Sequence, residues 1–269
     1  MNARASRRQR ARARREVLLG LGAGAAALAV AGGAGWIWWT HRGAGLDARL
    51  CPAGGPTGHI VLLVDKTDPL TFTQKQAFQQ RLRDLVTHRT PAGTLLSVFV
   101  LGESFKDNAA PLAELCNPGD GAGASELTAN PAQLKRQYDD RFIAPLMDEA
   151  DALQALHPAK WSPIFEMLQL VGINGFQARD VKGPRRLVVM SDLLHNTPEL
   201  SMYRALPDFD AFARTDYAVK SQARLDGVAV ELDVLMNTPA LQTRRLAEFW
   251  ERWFERAGAH VERVDPLEG

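Results

Sequence analysis

Cysteine is scarce in this chain, and several signatures of known chemistry are missing. Two cysteines occur among 269 residues, and neither lies in a Cys-x-x-Cys or Cys/His pattern, so a zinc site is not expected. No basic run follows Arg15, which argues against nucleic-acid binding. The chain has neither a Gly-x-Ser-x-Gly nucleophile motif nor a Gly-x-x-x-x-Gly-Lys phosphate loop. We therefore expect a protein that is not an enzyme and has no small-molecule substrate.

The amino terminus differs from the rest of the chain. Residues 1–16 carry seven arginines and one acid, Glu16, whereas residues 17–39 have no charged side chain and end in three tryptophans. A helix needs roughly 20 apolar residues to cross a bilayer, and aromatic residues are typical of its interface. We predict an Arg-rich cytoplasmic tail at 1–16 and a transmembrane helix or signal anchor at 17–39. The protein would then lie in the inner membrane as a single-pass protein, with its domain in the periplasm.

Three other interpretations of this terminus stay open. Arg14-Arg15-Glu16-Val17-Leu18-Leu19 loosely resembles a twin-arginine export signal. Ala29-Val30-Ala31 has the small residues of a signal-peptidase site, so the segment could be cleaved. The arginine run could also be a nucleic-acid tail of a cytosolic protein. The last interpretation leaves the apolar run beside the arginines unexplained.

The composition divides the remaining chain into a linker and one domain. Residues 40–58 are rich in Gly, Ala and Pro and predict a linker, and residues 59–269 have the length of a single α/β domain. Cys51 and Cys116 are candidates for a disulfide, because the periplasm permits one. Two free thiols are the alternative.

Strand and helix patterns alternate along residues 59–269. Apolar runs predict strands at 60–64, 95–101, 187–190, 228–236 and 260–264. Helices are predicted after the capping box Thr71-x-x-Gln74, after Asn130-Pro131 and after Ser162-Pro163. Pro145 is expected to bend or end the second of these helices. A fourth carries an apolar face of Leu246, Phe249, Trp250, Trp253 and Phe254.

This alternation predicts an α/β fold, a doubly wound, mostly parallel sheet with helices on both faces. Asp65 and Asp192 each follow an apolar strand, and ligands of such sheets bind at the carboxyl ends of the strands. Thr67 lies in the same loop as Asp65, and Ser162 lies at a helix start, where we expect it to be the N-cap. Carboxylates and hydroxyls together suit Mg²⁺, Mn²⁺ or Ca²⁺. His195, near Asp192, is expected to be a solvated loop residue.

The first of these loops, Asp65-Lys66-Thr67-Asp68-Pro69, resembles the Asp-x-Ser-x-Ser stretch after the first strand of the von Willebrand factor type A (VWA) family. Asp65 matches and Thr67 is a conservative replacement. Pro69 replaces a hydroxyl residue, so one ligand position of the family is lost.

Two later residues extend the resemblance, which covers residues 58–264. Ser162 is similar to the family's threonine at a helix start, and Asp192 to its later aspartate, with Leu193 where the family has glycine. The resemblance implies a VWA/Rossmann-like fold with a metal-ion-dependent adhesion site, here degenerate, whose ligands are Asp65, Thr67, Ser162 and Asp192. It also implies binding of an unidentified protein partner or scaffolding of an envelope complex. A metal-free structural subunit is the other interpretation within this family.

A different resemblance gives an alternative function. Asp65-Lys66-Thr67-Asp68-Pro69-Leu70-Thr71 is similar to the phosphorylated loop of the haloacid dehalogenase superfamily, in which a strand-end aspartate is the nucleophile. Asp192 and Asn196 would then form the later acidic motif, and Lys182 would be the lysine. Asp68-Pro69 replaces the Gly-Thr of that loop.

Overall fold

The computed structural model describes residues 28–33, 35–36, 45–122, 130–154 and 159–267. Residues 28–33 and 35–36 are helical, and the rest of the predicted tail and membrane segment lies outside the described residues. Within the described ranges, no helix combines the length and the apolar character that crossing a bilayer requires. Leu46–Gly269 forms one compact unit, so residues 46–57, expected in the linker, lie within the domain instead.

The described part of the domain is built on a six-stranded sheet. Its strands are β1 (Gly58–Asp65), β2 (Thr94–Leu101), β3 (Ala113–Cys116), β4 (Arg185–Ser191), β5 (Ala229–Leu235) and β6 (His260–Leu267). Their order is β3-β2-β1-β4-β5-β6. Every neighbouring pair is parallel except β2 and β3. The predicted fold class of a mostly parallel, doubly wound sheet is confirmed.

Helices follow most of the strands. They are α1 (Phe72–Thr87), α2 (Pro131–Tyr138), α3 (Ala144–Gln154), α4 (Ile164–Leu170), α5 (Phe209–Ala213), α6 (Asp216–Lys220) and α7 (Arg244–Arg256). The predicted capping box is present at α1, because Thr71 Oγ1 accepts from the Gln74 N–H and Gln74 Oε1 accepts from the Thr71 N–H. Asn130 is the N-cap of α2, as expected.

Of the two outcomes predicted for Pro145, a bend or an end of the helix, the end is not observed. The π-helical segment Asp139–Ile143 joins α2 to α3, and the helix runs on to Gln154. A proline removes one N–H donor and crowds the preceding turn. The wider π turn places the change of hydrogen-bond register directly before the proline, so the helix continues.

The two faces of the sheet are covered by different helices. Val61 and Leu63 of β1 pack with α4 and α7 in one apolar cluster. Ile60 and Leu62 pack with α1 and with Phe142 in the other. Successive residues of a strand point to opposite faces, so Asp65 continues the series that faces α4.

Cys51 and Cys116 form a disulfide, which confirms the predicted pair. The bond joins the segment before β1 to β3, the antiparallel edge strand, and Cys51 is buried beside Leu50. This segment is therefore packed against the domain.

Candidate functional site

Asp65 and Asp192 lie beside each other at the carboxyl edge of the sheet. Asp65 ends β1 and Asp192 directly follows β4, and the two strands are parallel neighbours with Val64 opposite Met190. The strand order reverses between β1 and β4, so the pair lies at the topological switch point, where doubly wound sheets bind ligands. Both carboxylates are buried, with 4% and 1% of their residue surfaces exposed.

Hydroxyl and amide donors surround the Asp65 carboxylate. Its Oδ1 accepts from the Thr67 N–H at 2.9 Å and from the Thr67 hydroxyl at 2.6 Å. Its Oδ2 accepts from the Ser191 hydroxyl at 2.6 Å and, over a longer distance of 3.5 Å, from the Ser162 hydroxyl. Of the four predicted ligands, Thr67 and Ser162 therefore both contact Asp65.

Asp192 has a second set of partners. Its Oδ1 accepts from the Leu194 N–H at 2.9 Å, and its Oδ2 accepts from the Tyr203 hydroxyl at 2.7 Å. The same hydroxyl lies 3.3 Å from Asp68 Oδ2. Tyr203 therefore bridges the loops that follow β1 and β4, and it is partly exposed at the surface of the site.

The Ser162 hydroxyl does not cap a helix, contrary to the prediction. The N-cap residue of α4 is Pro163, whose side chain has no hydrogen-bond acceptor, so α4 begins at Ile164 without a side-chain cap. The Ile164 N–H donates instead to His195 Nδ1 at 3.1 Å. The imidazole thus takes the role expected of the serine, and the serine hydroxyl is left to contact Asp65.

His195 is fully buried, not a solvated loop residue as expected. Because Nδ1 accepts from Ile164, the neutral ring carries its proton on Nε2, which lies 2.8 Å from the Tyr217 hydroxyl. Tyr217 in turn donates to Glu166 Oε1 at 2.7 Å. Burial lowers the pKa of His195 to about 3, which keeps this chain of hydrogen bonds neutral at the histidine.

The pKa values of both carboxylates are raised. Burial raises the pKa of Asp192 well above its usual range, and the charges of Asp65 and Asp68 raise it further. Burial also raises the pKa of Asp65, although the hydrogen bonds from Ser191 and Thr67 act in the opposite direction. Among the described residues, no arginine, lysine or histidine forms an ion pair with either carboxylate.

Glu231 on β5 is a buried acid that, unlike Asp65 and Asp192, forms ion pairs with arginines of the described chain. It is as buried as Asp65, but Arg89 and Arg263 lie 2.5 Å and 2.6 Å from its oxygens. Burial alone would raise the pKa of Glu231, yet the hydrogen bonds from these arginines hold it below its usual range. Glu231 therefore has basic partners, whereas Asp65 and Asp192 form no ion pair among the described residues.

The donor chemistry around the pair fits a hard cation. Within the described residues, no three His, Cys, Asp or Glu side chains are placed to hold a metal by themselves. A cation here would depend on hydroxyl groups and water as well, which Mg²⁺ accepts readily. Asp65, Thr67, Ser162 and Asp192 supply only oxygen atoms, and their two carboxylates lack the positive charge that a cation would provide. Without a cation, two close buried carboxylates favour one shared proton.

A small cavity of about 170 Å³ opens beside these residues. Its walls include Thr67, Asp68, Ser162 and Tyr203, together with Lys160, Trp161 and Asn196 from the neighbouring loops. The site is therefore reachable from solvent on the side of the Thr67 and Ser162 hydroxyls, while the Asp65 and Asp192 carboxylates lie behind them.

Three contributing residues were missed by the sequence analysis. Ser191 and Tyr203 donate to Asp65 and Asp192, and Asp68 lies within reach of the Tyr203 hydroxyl. Ser191 carries a usable signal, because it is a hydroxyl residue at the end of a strand directly before Asp192. Tyr203 carries none, because it lies 11 residues after Asp192 in a loop without a motif.

Lys182 lies away from the carboxylates. It precedes β4, whereas the predicted nucleophile Asp65 ends the parallel neighbour β1. The two residues therefore lie at opposite ends of these strands. Its ammonium pairs with Asp180 at 2.9 Å and is largely exposed. The lysine of the alternative phosphohydrolase hypothesis is thus not at the site.

This chain has a VWA-like fold, with the strand order and the antiparallel edge strand described above. Its two strand-end acids, Asp65 and Asp192, lie at the carboxyl edge of that sheet. No protein-family model and no curated protein sequence matches it. It is similar to an aerotolerance-related membrane protein from Bacteroides fragilis NCTC 9343, with 8% identity over 77% of this chain and 91% of that chain, and a TM-score of 0.37.

Two further solved structures are similar to this chain. One is the VWA domain of SpRpn10, with 13% identity over 78% of this chain and 89% of that chain, and a TM-score of 0.37. The other is the human COPII-coat protein Sec24c, with 7% identity over 78% of this chain and 30% of that chain, and a TM-score of 0.36. At these identities a likeness concerns the fold and not the function.

Proposed function

We propose that this chain is a membrane-anchored protein whose VWA-like domain faces the periplasm and binds a protein partner as part of an envelope complex. Binding takes place at the carboxyl edge of the sheet and depends on a divalent cation. The observation that carries this proposal is the buried pair Asp65 and Asp192, which lies at the switch point without a basic partner among the described residues.

A cation explains how such a site attracts a partner. Asp65, Thr67, Ser162 and Asp192 would hold it, and its charge would attract an acidic group of the partner. The loss of a hydroxyl at Pro69 leaves a position for water, which Mg²⁺ tolerates. We propose binding and not catalysis, because Lys182, the lysine of the phosphohydrolase hypothesis, lies at the opposite end of the strands from Asp65.

The Asp192→Asn variant separates the cation from the rest of the fold. An asparagine can keep both hydrogen bonds, since its Oδ1 accepts from Leu194 while its Nδ2 donates to the Tyr203 oxygen, whose proton turns to Asp68. Removing the charge ends the repulsion with Asp65. We therefore expect the variant to melt at a higher temperature than the wild type in EDTA and to gain nothing from Mg²⁺.

For the wild type we expect Mg²⁺ or Mn²⁺ to raise the melting temperature of the full chain. At ten times the dissociation constant the gain is about 1.4 kcal/mol, or about 3–6 °C for a domain of this size. Asp107→Asn, which removes an exposed aspartate outside the predicted ligand set, is the matched control and should keep the shift. If the wild type melts at the same temperature in Mg²⁺ and in EDTA, cation binding is contradicted. The interpretation as a metal-free structural subunit is then supported.

Partner binding is measured on the same variants. The tagged full chain is purified from membranes after cross-linking, in Mg²⁺ and in EDTA, and co-purifying proteins are compared. A partner that is retained with the wild type and Asp107→Asn in Mg²⁺, and lost in EDTA and with Asp192→Asn, supports the proposal. Hydrolysis of p-nitrophenyl phosphate that disappears in Asp65→Asn would instead support the phosphohydrolase.

A further inference from the structure

A second and larger cavity of about 840 Å³ lies next to the site, within the size range of ligand pockets, roughly 300–1,000 Å³. It is bordered by the loop after β2, the first turn of α4, the loop at 197–199 and α6. Three aromatic side chains, Phe105, Trp161 and Tyr217, line it. Trp161 also lines the small cavity beside Asp65, so the two cavities share a wall.

The charged groups around this cavity are mostly acidic. Its lining includes four carboxylates and two ammonium groups: Glu103, Glu166, Glu199 and Asp216 against Lys106 and Lys220. Among the described residues, none of these six takes part in an ion pair within 4 Å. The cavity thus presents a surplus of acidic side chains that form no ion pair within the described part of the chain.

Glu166 is held in place with one oxygen unused. Its Oε1 accepts from Tyr217, which is itself held by His195. Its Oε2 is buried and has no hydrogen-bond partner within the described part of the chain. A buried acceptor without a donor is costly, and burial accordingly raises the pKa of this carboxyl. A donor from a ligand would satisfy the unused oxygen.

The aromatic walls suit the same kind of donor. The Lys160 ammonium lies 4.8 Å from the centre of the Trp161 ring, and the Lys106 ammonium lies 5.9 Å from that of Phe105. These rings therefore already present faces to cations within the domain. Lys160 lines the small cavity but not the large one. Trp161 therefore lines the large cavity without the lysine that contacts its ring.

We propose that this cavity binds an arginine or lysine side chain of the partner polypeptide, with its cationic group at Glu166 and its alkyl stem against Trp161 and Tyr217. The proposal rests on the protein-binding function above and names the chemistry that the partner presents. A polypeptide is favoured over a free amine because the two cavities share the Trp161 wall, so that one partner surface covers both.

The test uses the full chain without Mg²⁺ and two short peptides of equal length, one with a central arginine and one with citrulline, its uncharged counterpart. Binding is followed by ¹⁹F NMR of 5-fluorotryptophan, with the Trp161 signal assigned from Trp161→Phe. We expect the arginine peptide to shift this signal and to bind at least tenfold more tightly than the citrulline peptide. Equal affinity of the two peptides would overturn the proposal.

Charge variants locate the effect. Glu166→Gln should abolish the preference for arginine, and Glu251→Gln, an exposed glutamate on α7, should leave it unchanged. Glu103→Gln combined with Glu199→Gln changes only exposed rim residues, so it should fold normally and weaken arginine binding about threefold. A preference that survives in Glu166→Gln and in the rim variant means that the cavity is not the site.

Two further outcomes separate this inference from the proposed function. Agmatine, a free guanidinium amine, should bind more weakly than the peptide, and equal binding would identify a small-molecule site and overturn the polypeptide assignment. If the peptide does not bind while a partner is still captured in Mg²⁺, the binding role of the cavity is contradicted and the proposed function stands. If the peptide binds but no partner is captured in Mg²⁺, the binding role of the cavity is supported. The proposed cation-dependent binding at Asp65 and Asp192 is then contradicted.

Discussion

At the residue scale, the buried histidines show how burial sets a protonation state. His59 is fully buried on β1 and lies 2.9 Å from the Ser97 hydroxyl, which itself donates to Glu114. Its ring therefore donates from Nε2, and Nδ1 has no partner within the described residues. Burial lowers the pKa of His59 to about 4, against a smaller opposing effect of Glu114.

This shift predicts a loss of stability in mild acid. The pKa of His59 is about 4 in the folded state and near 6.5 when unfolded, so the unfolded chain binds more protons between these values. The free energy of unfolding should therefore fall as the pH drops from 6.5 to 4, by up to about 3 kcal/mol from this residue.

Urea unfolding of wild type and His59→Gln at pH 7 and pH 4.5 measures the effect. The glutamine variant should lose less stability between the two pH values, whatever its stability at pH 7. His88→Gln, which removes an exposed imidazole, is the control and should behave as the wild type. An equal loss in all three proteins would contradict the assignment.

Leu193 shows a residue kept in an unfavourable backbone conformation. It follows Asp192 with a φ of +61°, where a side chain costs roughly 1–2 kcal/mol. Its side chain is buried in the core, its N–H donates to Ser191, and its carbonyl accepts from Trp250. Packing and these hydrogen bonds hold a left-handed turn at a residue that is not glycine.

At the element scale, long periodic segments were predictable and short ones were not. The apolar face of α7 is buried as its spacing indicated. β3 has four residues, and α5 and α6 have five each, so none shows a period of its own. Such elements are stabilised by contacts with neighbouring elements, as β3 is by its antiparallel pairing with β2.

Close contact between elements also constrains single glycines. Gly183 lies in the turn before β4, and a Cβ added there would come within 1.7 Å of the Thr57 carbonyl oxygen. Since this neighbour is backbone, the segment before β1 must move to make room. We expect Gly183→Ala to destabilise the protein by about 1–3 kcal/mol, as overpacking does.

Thermal unfolding of Gly183→Ala and Gly54→Ala tests this. Gly54 belongs to the same turn-rich segment as Thr57, but a Cβ there meets no atom within 4 Å. Its alanine variant should change stability by less than about 0.5 kcal/mol. Equal melting temperatures of the two variants would show that the segment before β1 moves freely.

At the scale of the whole molecule, the disulfide ties the beginning of the domain to the edge of the sheet. It closes a loop between residues separated by 65 positions. In the chain-entropy model, a loop of this length stabilises the folded state by about 4 kcal/mol. Cys51→Ser combined with Cys116→Ser should lower the free energy of unfolding by this amount.

Urea unfolding with and without dithiothreitol provides the measurement. The reductant should bring the wild type to the stability of the double variant and leave the double variant unchanged. If the double variant is as stable as the oxidised wild type, the segment before β1 is held by packing alone.

The sequence by itself determined the alternation of strands and helices, the capping of α1 and α2, the strand ends that carry Asp65 and Asp192, and the apolar faces of the long helices. These follow from local periodicity and from side chains that contact their own neighbours in the chain. Only the tertiary structure decided that β1 and β4 are adjacent, that His195 takes the N–H expected of Ser162, and that Tyr203 bridges Asp68 and Asp192. These are contacts between distant segments, and nothing in the local pattern of either segment specifies its partner.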